Sequence, residues 1–259
     1  MEFQLDREWR LRPIQGDTGQ AFLGMREQER VFIKRNTSPL LVALSREGIT
    51  PKLVWTRRMG NGDTITAQEW LEGCVLRPEE VGNNRNVVRI LYRLHHSDML
   101  VDMMNKIGGK SISPREMIEM YKKNLPEGLE KNHYLARVAD YLEKNLPAFS
   151  SNNYCVVHGD VNYKNWIGSE DYLYLVDWDS VRLGDPALDL GNLLGHYVPL
   201  EEWNNWLVSY GLKPTNTTLE RITWYAAMSF LNEIDRQFRK QDYKRMNNEI
   251  LLLKQTFKY

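Results

Sequence analysis

Tyr154-Cys-Val-Val-His158-Gly159-Asp160-Val-Asn-Tyr-Lys-Asn165 and, a few residues on, Tyr172-Leu-Tyr-Leu-Val-Asp177-Trp-Asp179 carry the reading of this chain. The pattern is a short strand, a polar loop, a second strand and an acidic corner. Val156 and Val157 are apolar up to His158, and Leu173, Leu175 and Val176 lead into Asp177. Two strands so placed deliver Asp160, Asn165 and Asp177 to one edge of a core. Phosphoryl transfer needs that set. One carboxylate orients an attacking hydroxyl and accepts its proton, while an amide and a second carboxylate hold Mg²⁺ on the nucleotide phosphates.

Upstream, residues 11–14 read as a strand, Gln15-Gly16-Asp17-Thr18-Gly19-Gln20 as a turn, and residues 21–25 as the return strand. Gly16 and Gly19 permit positive φ and close approach of backbone N–H groups to an anion, which suits a phosphate-covering hairpin; a plain hairpin accounts for the same residues. Val31-Phe32-Ile33-Lys34, an apolar strand ending in lysine after a glycine hairpin, resembles the kinase strand whose lysine pairs with the α/β-phosphates, the alternative being a lysine reaching solvent. Asn36-Thr37-Ser38-Pro39 marks a helix start, with Ser38 as N-cap and Pro39 at the first helical position. Leu40, Leu41 and Leu44 form its apolar face and Gly48 ends it. Glu47 either pairs with Lys34 or faces solvent. Strands at 52–56 and 64–70, joined by Gly60-Asn61-Gly62-Asp63, complete an expected five-stranded antiparallel sheet with one helix. After Gln68-Glu69-Trp70-Leu71-Glu72-Gly73 the pattern turns helical. The predicted division is therefore residues 1–71, binding nucleotide, and 72–259, carrying catalysis and substrate. Gln68, Trp70 and Leu71 are candidates for the adenine edge by position alone.

In the second part Val87, Val88, Ile90, Leu91 and Leu94 form one helical face. His95 and His96 are adjacent, and neighbouring side chains diverge on a helix, so they make no metal pair. His95 reads as a packed residue that bonds the catalytic loop. Residues 118–123 and 135–146 read as further helices. In Gly184-Asp185-Pro186-Ala187-Leu188-Asp189-Leu190-Gly191, Asp185 caps a helix that Pro186 begins. Asp189 falls in an apolar turn, where a carboxylate needs fixed partners; the backbone of the 158–165 loop is the expected one, and the role structural. His158 is assigned a supporting role as well. Trp203, Trp206, Tyr210, Trp224, Tyr225 and Phe230 read as helix core rather than as a cage for a quaternary ammonium. Arg236, Arg239, Lys240, Lys244 and Arg245 read as a solvated face.

Composition narrows the classes. The 259 residues are 42% hydrophobic and 26% charged, enough for a sizeable core. Lys+Arg and Asp+Glu both total 34, which argues against a strongly basic nucleic-acid surface. Cys74 and Cys155 lie far apart without metal-ligand spacing, and read as buried, reduced thiols of a cytoplasmic protein. No signal peptide and no membrane span are expected, since no run approaches the roughly 20 apolar residues a span needs.

His158-Gly-Asp160 with Asn165, Val176-Asp177-Trp178 and Asp185-Pro-Ala-Leu-Asp189-Leu resemble the aminoglycoside phosphotransferase/choline kinase family. The Asp-to-Asn offset matches the catalytic loop of protein kinases. The resemblance implies an α+β, bilobal protein-kinase-like fold, with an antiparallel-sheet N-lobe and a mainly helical C-lobe. It implies ATP and Mg²⁺, with Asp160 as catalytic base, Asn165 and Asp177 as metal ligands, and Lys34 on phosphate. Lys34-Arg-Asn-Thr-Ser-Pro39, residues 52–58, Ala67-Gln-Glu-Trp-Leu71 and residues 175–183 further resemble cell-cycle-regulator kinases of Gram-positive bacteria. That branch implies a ribose or 2-deoxyribose acceptor, a link to initiation of chromosome replication, division-ring and replication-initiation partners, and enrichment at the division site. Two other readings stay open: a kinase-shaped regulatory protein acting mainly by binding, and a choline or aminoglycoside kinase. In the latter, Glu201, Glu202, Glu233 and Asp235 would supply charge for a cationic acceptor.

Overall fold

A computed structural model describes residues 9–14, 21–60, 62–169 and 171–257. Alternating apolar residues in the first third build strands β1 (Arg10–Pro13), β2 (Ala21–Arg26) and β3 (Glu29–Arg35), then helix α1 (Leu40–Arg46), then β4 (Leu53–Arg58) and β5 (Thr64–Glu69). The strands form one antiparallel sheet in the order β1-β2-β3-β5-β4, the sheet and single helix that the sequence predicts. Val31, Ile33, Ile65 and Ala67 share one face, each no more than 1% exposed, beneath Trp9, Leu11, Phe22, Trp55 and Met59. Because side chains alternate across a strand, Phe32 and Lys34 lie on the other face.

Helix α1 begins one residue later than expected. Pro39 is the N-cap residue, and the Ser38 hydroxyl accepts from the Leu40 N–H at 3.2 Å. Pro39 has no N–H to bond, so the serine reaches the first residue that does. The Gly16/Gly19 turn lies outside the described residues.

Next come β6 (Cys74–Val75), α2 (Pro78–Val81), α3 (Arg85–His95), α4 (Asp98–Lys106), α5 (Pro114–Asn124), α6 (Glu127–Glu130) and α7 (His133–Lys144). Strands β7 (Cys155–Val157), β8 (Trp166–Gly168), β9 (Leu173–Leu175) and β10 (Arg182–Gly184) follow. The chain ends in α8 (Ala187–Tyr197), α9 (Trp203–Tyr210), α10 (Asn216–Arg239) and α11 (Tyr243–Thr256). It divides into two compact units, Met1–Val75 with Trp166–Asp179, and Leu76–Asn165 with Ser180–Tyr259. The first unit runs past residue 71 because β6 pairs with β8 and β8 with β9, which brings the segment ending at Asp179 into it. Cys155 is buried as expected. Cys74 is exposed instead, since its two-residue strand pairs on one side only, with β8.

In the second unit the aromatic residues are core. Trp203, Trp206, Tyr210, Trp224, Tyr225 and Phe230 are all buried. The indole N–H groups of Trp203, Trp206 and Trp224 donate to the carbonyls of Val198, Gly82 and Leu142 at 2.9–3.1 Å. Each ring thus spends its one polar atom on backbone, as buried tryptophan requires. Helices α8 and α10 meet at Gly191, where a Cβ would stand 2.7 Å from the Ala226 nitrogen and 2.9 Å from the Ile222 carbonyl oxygen. Backbone cannot yield as a flexible side chain can. Gly191→Ala is therefore expected to cost about 1–3 kcal/mol, read as a lower denaturant midpoint; an unchanged midpoint would refute this packing account. Among the described residues no helix is long and apolar enough to cross a membrane.

Candidate active site

Two cavities, one in each unit, are lined by several of the residues singled out by sequence: Lys34, Gln68, Trp70, Leu71 and Asp177 in the first, Asp160 in the second. In the first unit, β3 places Lys34 opposite Ala21 of β2 and Thr66 of β5. Its side chain is 18% exposed, and the ammonium donates to Asp179 Oδ1 at 2.8 Å and Asp177 Oδ1 at 3.0 Å. Burial alone would lower the ammonium pKa, but the hydrogen bonds to Asp179 and Asp177 outweigh it and hold the group above the ordinary lysine value. Glu47 was one candidate partner, the alternative being that it faces solvent. It closes α1 as the C-cap residue, while the ion pairs of Lys34 go to Asp177 and Asp179.

The corner that carries those two carboxylates is shaped locally. Leu175 ends β9, Asp177 takes the left-handed conformation at φ 66°, and a tight turn over Trp178–Ser180 follows. The Trp178 indole N–H donates to the Leu175 carbonyl at 3.0 Å, which pins the turn. Asp179 was given no role from sequence. Its spacing of two from Asp177 was the available signal, and only the fold shows both converging on Lys34.

Around this pair lies a cavity of about 440 Å³. Ala21, Phe32, Leu40, Leu44, Ile167 and Val176 make its wall apolar, while Lys34, Asp177 and Asp179 make one part charged. Gln68, Trp70 and Leu71 all line it. The Gln68 side chain is buried, however, and its amide donates to Thr50 Oγ1 at 3.1 Å and to the Pro51 carbonyl at 2.9 Å. It ties β5 to the segment before β4, so its side-chain nitrogen is spent on structure.

In the second unit β7 ends at His158 and the chain turns at Gly159, with φ 81°. A Cβ at Gly159 would stand 2.8 Å from the Ser180 carbonyl oxygen, so both conformation and space call for glycine here. Asp189, on α8 and 0% exposed, anchors this turn from below. It accepts from the His158 N–H at 2.7 Å, the Gly159 N–H at 2.8 Å and His95 Nε2 at 3.0 Å. His95 is held in turn by the Tyr210 hydroxyl at 2.8 Å from Nδ1. Burial alone would raise the Asp189 carboxyl, but the bond and charge of His95, the charge of His158 and the Gly159 N–H outweigh it and hold it below the usual carboxylate value.

Asp160 follows directly. Its N–H donates to His158 Nδ1 at 3.2 Å, and its Oδ1 accepts from Asn162 Nδ2 at 2.7 Å. Asn165 Nδ2 donates to the Asp160 carbonyl at 2.8 Å and lies 3.4 Å from Asp160 Oδ2. The amide nitrogen of Asn165 is thus committed, which turns its oxygen, the atom a hard cation would use, away from that bond.

Asp160 lines a cavity of about 380 Å³ with Tyr121, Arg182, Asn192, Ser229, Glu233, Asp235 and Arg236 among its walls. Glu233 pairs with Arg236 at 2.6 Å and Asp235 with Arg239 at 2.9 Å, so part of the basic run is bound rather than solvated. Glu201 and Glu202 are exposed on the turn before α9 and do not line it. Tyr121, Asn192 and Ser229 carried no motif. They come from α5, α8 and α10, and only the packing of those helices brings them together.

A family model described as "Phosphotransferase enzyme family" matches residues 29–225. Among solved structures, the choline kinase LicA from Streptococcus pneumoniae is similar at TM-score 0.68 and 17% identity, covering 96% of this chain and 95% of its own. A choline/ethanolamine kinase family protein from Mesorhizobium loti is similar at TM-score 0.60 and 17% identity, covering 96% and 85%. The GDP complex of aminoglycoside 2'-phosphotransferase-IIIa is similar at TM-score 0.66 and 11% identity, covering 97% and 93%. At such identities these likenesses establish the kinase-like fold and leave the acceptor to the chemistry of this chain's own cavity. The family match, which runs from β3 through the 158–165 loop, the acidic corner and α8, establishes more: the chain belongs to the phosphotransferase enzyme family.

Proposed function

We propose that this chain transfers the γ-phosphoryl group of Mg-ATP to a hydroxyl of a small sugar of the ribose and 2-deoxyribose class. The observation that carries the acceptor class is the pairing of Glu233 with Arg236 and of Asp235 with Arg239 beside Asp160. Carboxylates already neutralised by arginine favour a polyol over a cationic amine. Of the described aromatic residues only Tyr121 and Tyr225 are among those lining the cavity, and both are buried, so they supply no open aromatic cage for choline.

The first unit handles the nucleotide in this reading. Its apolar wall takes the base, the backbone near Trp70 and Leu71 meets the adenine edge, and Lys34 exchanges its carboxylate partners for phosphate oxygens. Asp177 and Asn165 offer oxygen donors, the type magnesium takes, and are assigned as its ligands. Magnesium, when bound, neutralises charge on the phosphates being split. Asp160, fixed through Oδ1 by Asn162 and more loosely through Oδ2 by Asn165 at 3.4 Å, uses the remaining lone pair of Oδ2 to orient the acceptor hydroxyl and take its proton.

ADP release measured against ribose, 2-deoxyribose, choline and kanamycin tests the acceptor; turnover of choline or kanamycin well above the sugars would sink it. Lys34→Ala should raise the KM for Mg-ATP by about 10- to 100-fold, the worth of a charge-assisted bond to phosphate. A KM within twofold of the parent enzyme would remove Lys34 from the phosphate site. By its motifs the chain also acts in the cytoplasm in timing chromosome replication with division-ring and replication-initiation proteins. Complementation of a deletion strain by an Asp160→Ala allele, with normal timing restored, would show that this role needs no chemistry.

A further inference from the structure

The cavity beside Asp160 holds polar groups whose hydrogen bonding is incomplete among the described residues. Arg182, on β10, is half-buried and lines the wall. Its Nε donates to the Ser180 carbonyl at 3.0 Å, and among the described residues no carboxylate pairs with it. The other arginine on that wall, Arg236, is paired with Glu233. Tyr121 is 6% exposed and its hydroxyl has no hydrogen-bond partner among the described residues. The Asn192 side-chain oxygen is also buried without one, while its nitrogen donates to Ser229 Oγ at 2.6 Å.

Each group states what would meet it. A guanidinium fixed by one N–H presents the others as a planar fork, the geometry that carboxylate and phosphate oxygens match. A guanidinium facing a cavity is best met by a counter-charge, so a neutral sugar would leave Arg182 without one and a cationic acceptor would be repelled. The Asn192 oxygen calls for a donor, and the Tyr121 hydroxyl can give or accept. We infer that the acceptor is an anionic polyol: one hydroxyl meets Asp160, others meet Tyr121 and Asn192, and an oxyanion is held by Arg182. This narrows the acceptor class proposed above and rests on the cavity beside Asp160 being the acceptor site. The oxyanion could be the phosphate of a sugar phosphate or the carboxylate of a sugar acid, which share this chemistry.

The test uses the full chain with Mg-ATP and three probes: ribose, ribose 5-phosphate and ribonate. Binding of each is also followed by calorimetry with a non-hydrolysable ATP analogue. At least one anionic probe should exceed ribose in kcat/KM by about tenfold or more, the scale of one charge-assisted contact. Which of the two does so names the oxyanion. Arg182→Gln should collapse the anion-to-ribose ratio towards one, mainly through KM, and Arg182→Lys should restore part of it. A parent-enzyme ratio of one or below overturns the inference, and so does a ratio unmoved by Arg182→Gln. The parent-enzyme ratio decides even where the variant folds poorly. Good ribose turnover with neither anion preferred defeats the oxyanion site and leaves the sugar kinase standing. Arg182-dependent binding of an anion without turnover supports the oxyanion site and defeats the reaction. Neither binding nor turnover of any probe defeats both.

Discussion

Asp160→Ala should slow phosphoryl transfer by about 10²–10⁴-fold while Mg-ATP still binds, because a positioned base contributes on that scale to the chemical step. The argument is local. Asp160 is held by its own N–H on His158 and by Asn162 on Oδ1, and it lines the wall of a cavity of acceptor size. Removing the carboxylate takes away the group that accepts the hydroxyl proton and leaves the Lys34 cavity untouched in composition. Single-turnover transfer should therefore fall while nucleotide affinity, measured by titration, stays within a few-fold. A variant that transfers at the full rate would end the proposed mechanism. Asp160→Asn separates position from basicity, since the amide fills the space but cannot take the proton.

The second large effect is on stability. Asp189→Ala should cost about 3–5 kcal/mol, the range for removing one partner of a buried charged network. His158 N–H, Gly159 N–H and His95 Nε2 would all lose their acceptor in a site with no exposure. For a chain of this size the loss should lower Tm by roughly 6–20 °C. A shift under 2 °C would show that the network is not what holds the loop. Asp189→Asn should fall between, because one of its two acceptor oxygens becomes a donor facing an N–H. The pH dependence has a definite sign. The folded carboxyl lies below its unfolded value of about 3.9, so its contribution is full above about pH 4. It is lost as pH falls through the lower, folded value. The parent protein should lose stability in that acid window more steeply than Asp189→Ala does.

Asp189 also shows how much of the site could be read without coordinates. A carboxylate inside Ala187-Leu188-Asp189-Leu190-Gly191 has to be satisfied, and the 158–165 loop was the natural candidate. The fold supplies that partner and adds His95, from a helix about ninety residues earlier, held by Tyr210. Strand alternation similarly located the five-stranded sheet and put Lys34 near the end of β3, because period-two burial is a local property of the chain. For Lys34 the sequence offered Glu47 as one candidate partner, by likeness to the kinase lysine–glutamate pair, whereas the ion pairs seen at Lys34 run to Asp177 and Asp179, more than a hundred residues away. No local rule ranks such contacts, since loop-closure cost grows slowly with separation.

Read without its fold, the order of residues settles the reaction class. Glycine at 159, carboxylates at 160 and 177 and an amide at 165 are the set that phosphoryl transfer calls for, and their spacing is visible in the sequence. It also settles the first sheet, because each strand's apolar face is written in its own few residues. Packing decided the rest. The division of labour around Lys34 depends on a segment far along the chain returning to the first sheet through β6, β8 and β9. The cavity beside Asp160 depends on α5, α8, β10 and α10 bringing their polar side chains together, Tyr121, Asn192, Arg182 and Ser229 among them. Arg182, Tyr121 and Asn192 gain meaning only through burial, for a polar atom needs a partner once water is excluded, and exclusion is a property of the assembled helices.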